Sequence, residues 1–245
     1  MRYCGHSMFL GREREKRVIR DLVAGVAQHG GALVVIGDPG IGKSALAGLA
    51  RRFAIRQGLE VLATTGVPAE SRLPYAGLHQ LLRPLRDGIG DLPLPQRDAL
   101  LPAFGQGTGH VPDRFLVALA VTDLLTAAAA RQPLLLLADD AHWIDPPSCD
   151  VLAFLGRRVA SAPIILLATA RDGYPVPLLE AGFRNCGSRG SARKRPASCW
   201  MPSRLGSPPR HAARSSACRS ETRLPCARRW TPPPRCAARR SPPEP

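Results

Sequence analysis

The sequence predicts an α/β protein with a three-layer α/β/α fold and a parallel central sheet. Short aliphatic runs recur within residues 31–37, 59–66, 132–145 and 161–173. Each run is typical of a strand that is buried on both faces, as the strands of parallel sheets are. Longer stretches with helical spacing separate them. Strands that alternate with helices form parallel sheets, which bind ligands at the carboxyl ends of their strands.

The spacing of apolar residues predicts the helices. The first is expected over residues 11–25, where apolar side chains share one helical face and charged side chains lie opposite; the apolar set is Val18, Ile19, Leu22 and Val23. Further helical stretches are expected near 74–87, 95–104 and 113–130, between the second and third strands. A chain of 245 residues is long enough for one or two domains with a sizeable core.

The stretch GDPGIGKSALA, which begins at Gly37 where the first strand ends, contains the spacing G-x-x-x-x-G-K-S. A strand that turns sharply into a helix lets several backbone N–H groups converge on a phosphate, and glycines permit the turn. Lys43 can reach the β- and γ-phosphates, and Ser44 can offer its hydroxyl to Mg²⁺. The sequence therefore predicts a P-loop for ATP and Mg²⁺, formed by Gly37, Asp38, Pro39, Gly40, Ile41, Gly42, Lys43, Ser44 and Ala45.

A P-loop also needs a carboxylate on the metal, at the tip of a neighbouring strand. The third predicted strand ends in Asp139 and Asp140. Asp139 is the natural carboxylate on the metal side. Asp140 could position or activate the attacking water, a catalytic role; the alternative is that it is a turn or cap residue.

Asp145 and Arg171 are singled out by the elements beside them. Asp145 precedes Pro146, and an N-cap followed by proline at the first helical position predicts a helix over 146–160 and a structural role for Asp145. Arg171 ends the fourth predicted strand. There it could act in catalysis by sensing or stabilising the γ-phosphate; the alternative is a solvated residue at a strand end.

The net charge is unevenly distributed along the chain. The whole chain carries +15, but residues 184–245 hold 15 of its 34 Lys and Arg against two acidic residues. That segment therefore carries +13, which leaves +2 for residues 1–183. A basic patch is thus a property of the last segment and not of the predicted α/β region.

Cysteine content and hydropathy exclude several classes of protein. The seven cysteines show no C-x-x-C spacing, which argues against a zinc site, and their odd number without a signal peptide argues against a disulfide framework. The apolar stretches are much shorter than the roughly 20 residues that span a bilayer. We therefore expect a cytoplasmic protein without a membrane partner.

Several motifs together resemble a known family. Six stretches occur in the order GREREKRVIRDLV, GDPGIGKSALA, LPYAGLHQLLRPL, DRFLVALAVTDLL, LLLLADDAHWID and LLATARDG. Over residues 9–183 the chain is therefore similar to the N-terminal ATPase module of large ATP-binding bacterial regulators of the LuxR type, which belong to the signal-transduction branch of the AAA-like P-loop ATPases. The P-loop alone is generic, whereas LPYAGLHQLL together with DDAHWID is much more specific.

The resemblance implies a switch driven by ATP and ADP. In that family the nucleotide state sets the arrangement of a lid domain and a helical-repeat sensor, and a C-terminal helix-turn-helix binds DNA. It further implies that Arg12 and Glu13, which follow Gly11, lie near the adenine. His142 and Trp143 belong to the motif too, and we expect both to be packing residues. This sequence shows no lid, repeat or helix-turn-helix motif, so we expect DNA contacts only through domains absent from it.

The motifs divide the chain into an N-terminal extension (1–10), the ATPase domain without its lid (11–183) and a disordered basic tail (184–245). The tail has eleven prolines and, of Leu, Ile, Val and Phe, only Leu205 and Leu224, so it cannot bury enough surface to offset its ordering entropy. A slipped reading frame would restore aliphatic residues and family-like peptides there. We hypothesise out-of-frame translation from near Phe183. The rival interpretation is a genuine arm that binds nucleic acid non-specifically.

The predicted function is an ATP-binding regulatory module of a signal-responsive transcriptional regulator. We expect weak binding of ATP with Mg²⁺ and slow or absent hydrolysis. Two alternatives remain open: a stand-alone P-loop phosphotransferase or ATPase, and a non-functional frameshifted fragment. A phosphotransferase would need an acceptor site and an Arg- or Lys-rich lid, whereas residues 67–130 are apolar and proline-rich.

Overall fold

The computed structural model describes residues 12–106 and 112–187, in which helices and strands alternate along the chain. The strands are β1 (Gly31–Gly37), β2 (Glu60–Thr65), β3 (Leu134–Asp139), β4 (Ile164–Arg171) and β5 (Arg184–Gly187). The α-helices are α1 (Glu13–Ala24), α2 (Lys43–Arg56), α3 (Ala76–Leu82), α4 (Leu94–Ala103), α5 (Arg114–Arg131), α6 (Pro146–Gly156) and α7 (Pro177–Glu180). The 3₁₀ segments are Arg83–Asp91, Ala141–Trp143 and Val159–Ser161.

The five strands form one parallel sheet in the order β2–β3–β4–β1–β5. Parallel strands all end at the same edge of a sheet. There Gly37 at the end of β1 lies opposite Arg171 at the end of β4, and Asp139 ends the adjacent strand β3. The predicted parallel α/β architecture of a P-loop NTPase is confirmed, and its central strands converge on the residues predicted for the site.

Side chains of the central strands alternate between two separate apolar cores, which is why these strands have no polar face in the sequence. On one side of the sheet the strands pack with α1 and α2. On the other they pack with α3, α4, α5 and α6. The first core takes Leu33, Val35, Leu135, Leu137, Ile165 and Leu167, and the second takes Val34, Leu134, Leu136, Ile164, Leu166 and Ala168.

The helices agree with the sequence in position but not always in length. The helix expected near 74–87 is α3, which gives way at Arg83 to a 3₁₀ segment because Pro84 has no N–H to continue α-helical bonding. The helix expected over 146–160 ends at Gly156. Within the described ranges, no helix is both long and apolar enough to cross a membrane.

Strand β5 corrects the predicted start of the disordered tail. Residues 184–187 were expected to belong to that tail, but their backbone pairs in parallel with residues 33–36 of β1. The pairing uses main-chain N–H and C=O groups that any residue supplies, so a strand of this composition has no apolar signature. The remainder of the predicted tail, residues 188–245, and the predicted extension, residues 1–10, lie outside the described residues.

Candidate nucleotide-binding site

The P-loop joins the end of β1 to the start of α2. Its turn contains two residues with positive φ, Gly40 at 74° and Gly42 at 90°. Residues other than glycine adopt this left-handed region only at a cost, so the two glycines are needed for the turn. The first N–H groups of α2, beginning at Lys43, have no acceptor within the helix and point out of its N-terminus. The loop therefore has the geometry of an anion-binding cradle.

Lys43 is buried inside this loop. Its ammonium donates hydrogen bonds to the carbonyl oxygens of Gly37 (2.9 Å) and Asp38 (3.0 Å), so the side chain curls back over its own loop. Burial lowers the pKa of Lys43, and the charge of Asp140 opposes that effect. Ser44, one residue further along α2, is exposed beside it. Its exposure leaves the hydroxyl accessible, and the predicted role of Ser44 as a metal ligand stays a prediction.

Asp139 and Asp140 are held by a threonine that the sequence analysis did not single out. Thr169, fully buried in β4, donates its hydroxyl proton to Asp139 Oδ1. The backbone N–H of Asp140 donates to Thr169 Oγ1 (2.9 Å) and, more weakly, to Asp139 Oδ1 (3.2 Å). Thr169 thereby fixes the direction of the predicted metal-side carboxylate. A hydroxyl within an otherwise aliphatic buried strand, two residues before Arg171, is the signal that could have identified it.

Asp140 occupies a tight turn between β3 and the following 3₁₀ segment. Its φ of 49° lies in the left-handed region, which aspartate tolerates better than most residues. Gly66, just beyond β2, lies against this turn: its N–H donates to the Asp139 carbonyl (2.8 Å), and a Cβ there would meet the Asp140 carbonyl at 2.3 Å. The Asp140 side chain is 35% exposed. The backbone of Asp140 is therefore fixed while its carboxylate keeps access to solvent.

His142 and Trp143 pack together with Tyr174 in an aromatic cluster. The ring of His142 lies 5.2 Å from that of Trp143 and 5.0 Å from that of Tyr174, measured between centroids. The His142 side chain has no exposed surface, and its Nδ1 lies 3.9 Å from Asp140 Oδ1. Burial lowers the pKa of His142, against the raising effect of Asp140. Both rings make packing contacts, as predicted, and His142 also reaches the edge of the nucleotide site.

Asp145 has the structural role that its sequence context predicts. Its carboxylate is 1% exposed. One oxygen accepts the N–H groups of Tyr75 (2.7 Å) and Ser148 (3.0 Å), and the other accepts the N–H of Gly77 (2.9 Å). The residue therefore caps α6 and at the same time fixes the start of α3.

The other predicted site residues differ in how closely the structure brings them together. Arg171 is half-buried at the end of β4, and its charge lowers the pKa of both Lys43 and His142, so it lies near both residues. Glu13 is exposed and pairs with Lys16 at 2.8 Å. Arg12 buries its Nη1 atom without a hydrogen-bond partner among the described residues.

The P-loop and the ends of β3 and β4 lie at one edge of the sheet. Within residues 12–106 and 112–187, no hydrogen bond or ion pair joins Arg12 or Glu13 to the P-loop. The other predicted loop residues differ in exposure: Asp38, Pro39 and Gly40 are exposed, and Ile41 and Ala45 are partly buried. Gly37 and Lys43 lie beside Arg171 at the sheet edge.

The donor set fits Mg²⁺ bound together with nucleotide phosphates. No cluster of three or more His, Cys, Asp or Glu side chains occurs in the part of the chain that the structure describes. Mg²⁺ in nucleotide sites needs none, because it takes one or two protein oxygens and completes its shell with phosphate and water. Ser44 and Asp139 are the residues that would hold it.

Comparison with known proteins matches the family described as the AAA ATPase domain to residues 8–167. An uncharacterized protein of Rhizobium meliloti (strain 1021) is 30% identical over 201 residues. That alignment covers 70% of this chain and 19% of the relative, so the chain spans a small part of the curated relative's length.

Two solved structures are also similar. One is a signal transduction ATPase with numerous domains from Pyrococcus horikoshii, which has a tetratricopeptide repeat sensor. It is 20% identical, and the match covers 73% of this chain and 23% of that chain with a TM-score of 0.44. The other is the ORC2 protein of Aeropyrum pernix in ADPNP–ADP complexes, which is 18% identical; the match covers 76% of this chain and 49% of that chain with a TM-score of 0.45. This chain spans less than half of either protein.

Proposed function

The chain belongs to the AAA ATPase domain family, and on that premise we propose that it is the ATP-binding, slowly hydrolysing module of a signal-responsive transcriptional regulator. The observation that carries the proposal is the meeting of four groups at one sheet edge: the P-loop with Lys43, the carboxylates of Asp139 and Asp140, and Arg171. Together they supply the parts that phosphoryl chemistry needs, namely a phosphate cradle, a metal carboxylate, a group beside the attacking water and a second cation.

Binding is the first step of the proposed mechanism. The N–H groups at the start of α2 and the helix dipole attract the β-phosphate. Lys43 exchanges its two carbonyl contacts for phosphate oxygens, which are stronger acceptors because they carry charge. Ser44 and Asp139 would hold Mg²⁺, with Asp139 aimed by Thr169. A metal ion held there would supply positive charge that stabilises phosphate oxygens.

Hydrolysis would use Asp140 and Arg171. The Asp140 carboxylate is partly exposed beside Lys43, where a water in line with the γ-phosphate could donate a hydrogen bond to it. Arg171 projects from the neighbouring strand end and would stabilise charge on the equatorial γ-oxygens. Arg12 and Glu13 are proposed to lie on the adenine side, on the strength of the family resemblance alone.

The regulatory context rests on sequence motifs. LPYAGLHQLL and DDAHWID resemble the ATPase modules of LuxR-type regulators, in which other domains read the signal and bind DNA. A stand-alone phosphotransferase would instead need an acceptor pocket that opens on the γ-phosphate. Of the clefts in the described region, two with volumes of about 520 and 690 Å³ have no P-loop residue in their lining. The two sequence motifs make the regulatory module the better supported proposal.

The test is nucleotide binding by the Lys43→Ala variant. The parent chain should bind a fluorescent ATP analogue in the presence of Mg²⁺, and the variant should show no measurable binding, because the cation that faces the phosphates is gone. Arg56→Ala is the matched control, since it removes an exposed cation from the last turn of the same helix. Equal binding by parent and Lys43→Ala would refute the P-loop assignment. Turnover that rises with an added acceptor would favour the phosphotransferase.

A further inference from the structure

His142 is a buried polar side chain whose two ring nitrogens have no hydrogen-bond partner among the described residues. Its side chain has no exposed surface. Buried polar groups are nearly always hydrogen-bonded, because leaving one unsatisfied costs its full desolvation free energy. A phenylalanine would fill the same space between Trp143 and Tyr174 without that cost. Packing alone therefore does not explain an imidazole at this position.

The carboxylate of Asp140 is the acceptor within reach. Its Oδ1 lies 3.9 Å from His142 Nδ1, about 1 Å beyond a hydrogen bond. The His142 ring contacts two aromatic neighbours, whereas the Asp140 side chain is 35% exposed and so has room to move. Asp139 is the weaker candidate, since its Oδ1 already accepts from Thr169. A small rotation of Asp140 would pair the two groups.

The protonation state of the ring suits a donor in this setting. Burial, the largest influence, lowers the pKa of His142, and the positive charges of Arg171 and Lys43 lower it further; Asp140 and Asp139 act the other way. The ring is therefore neutral near pH 7 and carries one N–H. It can donate a hydrogen bond without adding a third cation beside Lys43 and Arg171.

We propose that His142 is a positioning residue for Asp140. With ATP and Mg²⁺ bound, its Nδ1–H donates a hydrogen bond to Asp140 Oδ1, which directs the other carboxylate oxygen at the attacking water. The water oxygen then bonds to the γ-phosphorus while the bond to the β–γ bridging oxygen breaks, and ADP leaves with that electron pair. The water proton passes to Asp140 and on to the released phosphate, and the His142 proton stays in place. This inference rests on the proposed ATPase function.

Three variants separate positioning from packing. Asparagine places a donor near the position of Nδ1 but loses the ring, whereas phenylalanine keeps the ring and loses the donor. At saturating ATP and Mg²⁺, we expect His142→Asn to retain turnover within about 3-fold of the parent and His142→Phe to lose about 10- to 100-fold. Nucleotide affinity should stay within about 2-fold in both, as for any residue that acts after binding. His79→Phe is the matched control, because His79 is an exposed histidine of α3 whose ring contacts Phe104.

The opposite order of turnover, with phenylalanine active and asparagine inactive, would show a packing role and overturn the inference. A parent chain that binds nucleotide without hydrolysing it would overturn it as well. Failure of the parent to bind nucleotide is a different result, because it refutes the proposed function through the Lys43 assay.

A spectroscopic measurement keeps the inference testable if the asparagine variant does not fold. In the parent labelled with ¹⁵N in its imidazole rings, the His142 resonances are assigned by their loss in His142→Phe. Adding Mg²⁺ with a non-hydrolysable ATP analogue should move the Nδ1–H proton downfield as the hydrogen bond to Asp140 forms. Saturation with the analogue and no change at His142 would overturn the inference.

Discussion

The turn at the end of β3 and the start of α6 each present one aspartate, and the two behave in opposite ways. Asp145 is 1% exposed and accepts three backbone N–H groups. Asp140, five residues earlier, is 35% exposed and lies in the left-handed region. The oxygens of Asp145 are occupied by hydrogen bonds within the fold, so its role is structural. The carboxylate of Asp140 keeps access to solvent near Lys43, so it is available for chemistry.

The largest effect is expected from Asp145→Ala. The substitution leaves the N–H groups of Tyr75, Gly77 and Ser148 buried without an acceptor. At about 1–3 kcal/mol each, the free energy of unfolding should fall by at least about 3 kcal/mol. Urea unfolding followed by circular dichroism measures it. Asp145→Asn, which keeps one oxygen acceptor, should lose less; equal losses in the two variants would mean that the carboxylate does not hold these groups.

An intermediate effect is expected from Thr169→Val, which removes a donor while keeping the shape of the side chain. The free energy of unfolding should fall by about 1–2 kcal/mol, because Asp139 Oδ1 and the N–H of Asp140 each lose a partner. Affinity for Mg²⁺ in the presence of ATP should also weaken, as Asp139 is no longer aimed. Titration with Mg²⁺ checks this, with Thr169→Ser as the control that retains the hydroxyl. Unchanged Mg²⁺ affinity in the valine variant would argue against aiming by Thr169.

The smallest effect on stability is expected from Asp140→Asn. Its side chain is partly exposed and asparagine tolerates the left-handed region, so the free energy of unfolding should stay within about 0.5 kcal/mol of the parent. Hydrolysis should nevertheless be lost while ATP binding persists, because an amide cannot accept the water proton. The pair of measurements is urea unfolding and turnover at saturating ATP. A large loss of stability in Asp140→Asn would mean that Asp140, like Asp145, has a structural role.

Much of this organisation was predictable from sequence because parallel strands covered on both faces leave continuous aliphatic runs. The P-loop spacing located the turn between β1 and α2, and the pair Asp145-Pro146 located the cap of α6. In each case the information is local, within a few residues of the feature. The sheet edge then follows from the topology of alternating strands and helices.

The features that sequence reasoning missed depend on partners far along the chain. Thr169 acts on Asp139 across 30 residues; a hydroxyl in an aliphatic strand marks Thr169 as unusual, but the sequence does not identify its partner. Strand β5 pairs with β1, which lies far away in the sequence, and the residues of β5 do not by themselves predict that pairing. Asp145 was recognised as a helix cap, but its second task, holding the start of α3 some 70 residues away, required the structure. Long-range hydrogen bonds leave no periodicity to read.

The curled side chain of Lys43 has a consequence for the energetics of ligand exchange. The lysine acts as an internal competitor, since its ammonium is already satisfied by two carbonyls of the loop that phosphate would enter. Each binding event is therefore a substitution of one acceptor for another, and the heat it releases is the difference between two sets of contacts. An anion that binds there must therefore offer Lys43 stronger acceptors than two backbone carbonyls, as charged phosphate oxygens do.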